Sequence, residues 1–203
     1  MNKDGMLVII SAPSGAGKTS LCEEITRFFP DFYYSVSYTT RHPRPGEKDG
    51  KDYHFVSEEK FREMIDEKRF IEWAEVHGNR YGTASDPIRE CRGKGIDVIL
   101  VIDAQGAEQI AKEFPNGVYI FILPPSWHEL ENRLRSRGSD SNEDIKKRLE
   151  NAKEEFRDIK RYDYLLINDD FDTAASTLKS IIIAERCRRD RVLPLVRDFS
   201  IFY

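Results

Sequence analysis

The sequence predicts an α/β fold: a three-layer parallel sheet with helices on both faces. Two observations lead there. Four short apolar runs, at residues 7–10, 98–102, 118–123 and 164–167, are rich in β-branched side chains and nearly continuous rather than alternating. Strands covered on both faces read this way. Helical patterns fall between the runs, and strand alternating with helix gives a parallel sheet.

The elements follow in order. After the first run, Leu21, Cys22, Ile25, Phe28 and Phe29 recur at helical spacing over 19–29. Residues 35–84 break the rhythm. They are rich in Tyr, Arg, Gly and Pro and read as short strands, turns and one helix from Ser57 to about Lys68. After the third run, Ser126-Trp127-His128-Glu129 reads as a capping box that opens a helix. Ile145, Leu149, Ala152, Phe156 and Ile159 then form one stripe of a long charged helix. Leu178, Ile181 and Ile182 give a last helix, and the apolar residues of 192–203 lack a period. That segment is expected to pack on the core or on another subunit, so a homo-oligomer stays open.

Composition narrows the function. The 203 residues are 39% apolar and 33% charged, with a mean hydropathy of −0.59. This suits one domain, or one core with insertions. A net charge of −4 argues against a nucleic-acid partner. No apolar run approaches the ~18 residues of a membrane span, and no cleavage-site pattern follows Met1. Cys22, Cys91 and Cys187 are far apart and odd in number, so neither a disulfide framework nor a zinc site is expected. A cytoplasmic location is expected.

The strongest chemical signal follows the first strand. Ala12-Pro13-Ser14-Gly15-Ala16-Gly17-Lys18-Thr19 matches the pattern GxxxxGK[ST] except at its first position, and Ser20 continues into the helix. Gly15 and Gly17 let backbone N–H groups turn inward on a polyphosphate, and the helix N-terminus adds partial positive charge. Lys18 would reach the β/γ oxygens and Thr19 would place its hydroxyl on Mg²⁺. Ala12 in place of glycine is tolerable if its φ is negative. The motif indicates a nucleoside triphosphate without naming a reaction.

A second constellation is Ser35-Val36-Ser37-Tyr38-Thr39-Thr40-Arg41-His42-Pro43-Arg44-Pro45-Gly46-Glu47, followed by Gly50-Lys51-Asp52-Tyr53-His54-Phe55-Val56. Two arginines on a proline-stiffened segment, with tyrosines nearby, suit a phosphate monoester. An exposed basic loop has the same composition.

With these segments the sequence resembles the guanylate kinases. The resemblance also runs through Phe70–Val76, then Gly78-Asn79-Arg80-Tyr81-Gly82-Thr83, Ile102-Asp103-Ala104-Gln105-Gly106-Ala107, the Pro124-Pro125-Ser126 turn, Arg137-Gly138-Ser139-Asp140-Ser141 and Ile167-Asn168-Asp169-Asp170, all in family order. It implies transfer of the γ-phosphate of ATP to GMP and dGMP, with Mg²⁺. It implies three parts: a core of residues 1–36, 85–125 and 158–203, a small mixed α/β GMP-binding insertion of 37–84, and a helical lid of 126–157. By the same resemblance Arg41, Arg44, Tyr53 and Tyr81 hold the acceptor phosphate. Ser37, Glu72, Thr83 and Asp103 read the guanine. The lid arginines Arg133 and Arg137 close on the ATP phosphates, Arg148 reaches into the site, and Asn168 lies near the adenine.

Elementary chemistry agrees with several of these roles. Guanine presents N1–H and a 2-amino group on one edge, and one carboxylate accepts both; adenine offers an acceptor at N1 instead. A hydrogen-bonded site of this kind discriminates by roughly 10⁴-fold or more. The acceptor is already anionic, so no general base is required, and His42, His54, His77 and His128 form no triad. Catalysis is then expected from positioning and charge neutralisation by Lys18, Mg²⁺ and the arginines. One departure concerns the metal. Relatives commonly carry an acid two residues before Asp103, where this chain has Val101. Two other readings compete: a sugar-phosphate kinase on the same scaffold, which has no use for Ser37, Glu72 and Asp103, and a non-catalytic interaction module, which tends to lose Lys18 and the lid arginines.

Overall fold

The computed structural model describes residues 4–76, 78–136 and 141–196. The chain opens with β1 (Leu7–Ser11), α1 (Lys18–Phe28) and β2 (Tyr33–Tyr34). It continues through β3 (Tyr38–Thr39), β4 (His54–Phe55), α2 (Glu58–Asp66), β5 (Phe70–Val76), β6 (Asn79–Ala84) and α3 (Ser85–Gly93). Then come β7 (Val98–Val101), α4 (Ala104–Glu113), β8 (Val118–Leu123), α5 (Trp127–Ser136) and α6 (Asn142–Arg157). The last elements are β9 (Tyr164–Ile167), α7 (Phe171–Arg186) and the short α8 (Arg189–Val192).

The main sheet is five-stranded and parallel throughout, in the order β2-β7-β1-β8-β9. Alternation along β1 splits the core in two. Val8 and Ile10 face α1 and α7, against Leu21, Ile25, Leu178 and Ile182. Leu7 and Ile9 face the other layer, where Ile88 of α3 and Ile110 of α4 join Val98 and Leu100. All four strand runs form strands, and the three-layer expectation holds.

Three details were not visible in the pattern. The two-residue β2 extends the sheet beyond β7, too short to register as a run. Helices α3 and α4 were also missed; α4 buries mostly small residues, Ala104, Gly106 and Ala107, beside its one large apolar side chain, Ile110. Finally, β9 is apolar throughout yet covered on one face only: Leu166 is buried while Leu165 and Ile167 are exposed. It is the edge strand, so the covered-on-both-faces reading fails there.

Residues 38–84 carry a second sheet, ordered β4-β3-β6-β5, with β3–β4 parallel and the β6 pairings antiparallel. Helix α2 begins at its Ser57 cap, whose hydroxyl accepts from the Lys60 N–H. This sheet is seated on the main fold through α4. Gln109 accepts from the Trp73 N–H and donates to the Trp73 carbonyl, satisfying both backbone groups of one β5 residue. Helices α5 and α6 form a third unit around Leu130, Leu134, Ile145 and Ala152. Ser126 caps α5 by accepting from the Glu129 N–H. The expected reciprocal half of that box is replaced, because Glu129 turns its carboxylate to Arg133. A reciprocal box does open α6, between Ser141 and Asp144.

Candidate active site

The C-terminal ends of β1 and β7 open into a cleft of about 540 Å³, flanked by the second sheet and by α6. That volume is within the range of small-molecule sites, ~300–1,000 Å³. The turn leaving β1 forms its floor. Gly15 and Gly17 have φ of 98° and 88°, the left-handed region where a side chain is strained. Ala12 has no positive φ, which is why alanine serves there. Gly17 immediately precedes Lys18, the first residue of α1, so the loop delivers its N–H groups at a helix N-terminus. The Lys18 ammonium donates to the Ile102 carbonyl at 3.2 Å, which anchors it over the end of β7. Thr19 is exposed at the cleft surface, and Ser14, Pro13 and Ser20 line the same wall.

Asn168 and Ala16 stand behind this wall. The amide of Asn168, the residue expected near the adenine, is buried under the loop and donates to the Ala16 carbonyl at 2.7 Å. It braces the loop from below. The fit is close, since a Cβ on Gly17 would come within 2.2 Å of the Asn168 amide nitrogen.

The second sheet supplies the opposite wall. Arg41 is held by Glu47, Nη2 to Oε1 at 2.9 Å, and by the His42 carbonyl at 2.7 Å. Its guanidinium lies 5.4 Å from the Tyr53 ring centroid, and Tyr53 and Tyr81 pack edge to face. Glu47 also accepts from the Arg44 N–H at 2.7 Å, so one carboxylate organises both arginines. Burial alone would raise its pKa; the Arg41 bond and the Arg44 amide outweigh that and hold it below the usual carboxylate range. Sequence reading missed Glu47, though its place three residues after Arg44 fits a turn-closing side chain.

Glu72 lies on β5 facing inward at 4% exposure, with Thr83 of β6 fully buried beside it. The Thr83 hydroxyl donates to Glu72 Oε1. Burial is the main force on this carboxyl, pushing its pKa up to about 8; Asp103 adds to the rise, while Thr83 and Lys18 oppose it. Asp103 caps α4, its Oδ1 accepting from the Gly106 N–H at 2.9 Å. Ser37 completes this end of the cleft.

From the helical pair, Arg148 donates to the Ser14 hydroxyl at 2.8 Å and so touches the loop directly. Arg133 is not in the cleft lining. It pairs with Glu129 at 2.8 Å and reaches the Asn168 carbonyl at 3.1 Å, behind the loop. Arg137 lies outside the described residues. Lys147 and Glu155 of α6 also line the cleft and were not anticipated. Burial lifts the Glu155 carboxyl to about 7, against the pull of Lys18.

One cleft thus joins a polyphosphate loop, a guanidinium-and-phenol cradle and a buried carboxylate. Comparison with known proteins agrees: the family model described as guanylate kinase matches residues 4–185. The chain belongs to the guanylate kinase family. A guanylate kinase of Geobacter metallireducens is 55% identical over 198 residues, 98% of each chain. The guanylate kinase of Escherichia coli is 52% identical over 189 residues, 92% of this chain and 91% of its own. The crystal structure of guanylate kinase from Anaplasma phagocytophilum superposes with a TM-score of 0.75 at 35% identity, covering 93% of this chain and 90% of that one. Within this guanylate kinase the end of β7 carries Val101, half-buried against the core and lining the cleft, two residues before Asp103.

Proposed function

We propose that the protein transfers the γ-phosphate of ATP to GMP, and to dGMP, giving ADP and GDP or dGDP. The observation that supports this most is the placement of Glu72 in the same cleft as the phosphate loop. A buried carboxylate there accepts N1–H and the 2-amino group of guanine together, and leaves adenine with two acceptors facing each other. Ser37, Thr83 and Asp103 complete the base end. Arg41, Arg44, Tyr53 and Tyr81 take the acceptor phosphate. In this reading Glu47 holds the arginines until the phosphate replaces it.

The donor lies on the loop, with its phosphates on the N–H groups around Gly15 and Gly17 and its β/γ oxygens at Lys18. Arg148, Arg133 and Arg137 of the lid add countercharge. The acceptor oxygen is already anionic, so no side chain has to remove a proton. The chain's work is to align two polyanions and cancel their repulsion, and most of the rate enhancement in phosphoryl transfer arises that way. The cleft suits Mg²⁺. It offers the exposed Thr19 hydroxyl, an oxygen donor, and among the described residues no group of three His, Cys, Asp or Glu is placed to form a protein cage. A cation held largely by phosphates and waters fits that donor set. When bound, Mg²⁺ neutralises charge on the transferring phosphoryl oxygens.

We assign residues 37–84 to GMP binding, 126–157 to the lid and the remainder to the core. In this reading the protein acts in the cytoplasm, without nucleic acid or membrane. A coupled assay with ATP against GMP, dGMP, AMP, CMP and UMP tests the reading. Turnover confined to the guanine nucleotides is expected. Equal turnover of AMP overturns it.

A further inference from the structure

Glycine inside a helix is destabilising relative to alanine, so Gly106 in the first turn of α4 calls for a reason. The backbone gives none, because its φ is not positive. The reason is what lies against it. A Cβ built on Gly106 would be 2.4 Å from Glu72 Oε2 and 3.0 Å from Glu72 Cδ. By contrast, Gly93 in α3 has nothing within 4 Å of its missing Cβ.

The Glu72 carboxylate is therefore fixed on both sides. Thr83 donates to Oε1, and Oε2 rests in the hollow over Gly106. The hollow itself is held in place, since the Gly106 N–H is bound to Asp103 and a Cβ there would also meet Ile102 at 3.5 Å. A side chain at 106 would overlap the end of the Glu72 side chain, the flexible partner of the pair, so it is the carboxylate that must move.

We propose that Gly106 is a specificity-determining positioning residue: the absent side chain is the seat that sets the plane of the Glu72 carboxylate, so that both oxygens meet the guanine edge. This rests on the reading of Glu72 as the base-recognising group. A tilted carboxylate keeps at most one of the two hydrogen bonds. The loss therefore falls on nucleotides that use both.

The test compares GMP with inosine monophosphate, which keeps N1–H and lacks the 2-amino group. Gly106→Ala is expected to reduce the GMP-over-IMP ratio of kcat/KM by about tenfold or more, mainly through KM for GMP. KM for ATP should stay unchanged. The melting temperature should fall only modestly, because the helix preference of alanine offsets part of the cost of displacing the buried carboxyl. Glu72→Asp is made alone and combined with Gly106→Ala. Asp is shorter and clears the new methyl, so the double variant should match Glu72→Asp rather than add to it. An unchanged ratio in Gly106→Ala, or full additivity in the double variant, overturns the proposal. A ratio that does not move in Glu72→Asp overturns instead the reading of Glu72.

Discussion

Burial gives Glu72 a proton that its proposed task requires it to lose. With its carboxyl pushed up to about 8, Glu72 is mostly in the acid form at neutral pH before GMP binds. That form carries a donor where guanine needs a second acceptor. GMP binding is therefore expected to release a proton at neutral pH, and GMP affinity should rise with pH until it levels above about 8. Calorimetry in two buffers of different ionisation enthalpy checks this; equal apparent enthalpies at pH 7 contradict it. Glu72→Gln should abolish the proton release and weaken GMP relative to AMP, since the amide turns a donor toward a donor. Stability carries the same linkage. The folded value lies above the unfolded value of 4.5, so the contribution is complete below about 4.5 and is lost as pH rises through about 8. Lys18 tests the other end of the cleft. Lys18→Ala should abolish turnover while GMP binding, read by the same calorimetry, persists.

At the scale of elements, local signals were legible where chemistry is local. The phosphate loop shows in sequence because its glycines meet a backbone need, confirmed by φ of 98° at Gly15 and 88° at Gly17. The Ser126 cap was legible for the same reason. What could not be read was contact across the chain. Asn168 lies 152 residues from the Ala16 carbonyl it supports, and no spacing rule joins them. Glu155 reads as one more charge on a charged helix until α6 is laid over the cleft. The helical pair also packs directly on the loop. Gly15 sits beneath α5, and a Cβ there would come 3.2 Å from both Leu130 and Leu134. Leu134 is 1% exposed within the pair's own small core. Leu134→Ala should destabilise that core by about 2–5 kcal/mol and loosen α5 from the loop. The expected signature is faster amide exchange over 127–157 and a lower kcat, with exchange in β1, β7 and β8 unchanged. Uniformly faster exchange across the sheet would show that the pair is no separate unit.

For the whole molecule, the placement of charge predicts how the parts respond to phosphate ligands. The protein carries a net charge of −4, yet Lys18, Arg41, Arg44, Lys147 and Arg148 all border one cleft. Those cations come from three separate units: the core loop, the second sheet and the helical pair. The sheet unit touches the core through α4, and the helical pair rests on the loop through Leu130, Leu134 and Arg148. Glu72, Asp103, Asp144 and Glu155 line the same cleft and offset part of that charge, and Glu47 and Ser14 occupy two of the arginines. If the site binds as proposed, two nucleotides would bring several negative charges to these cations, and each unit would gain by moving inward. Closure also removes water that would otherwise take the γ-phosphate. Small-angle scattering should therefore give a smaller radius of gyration with GMP and a non-hydrolysable ATP analogue together than with neither. Either ligand alone should yield only part of the contraction, because each engages one wall. The contraction should weaken in Arg148→Ala, which removes a cation of the helical pair while leaving Arg41 and Arg44 in place. An enzyme equally compact in all four states would mean that phosphate charge does not drive the parts together.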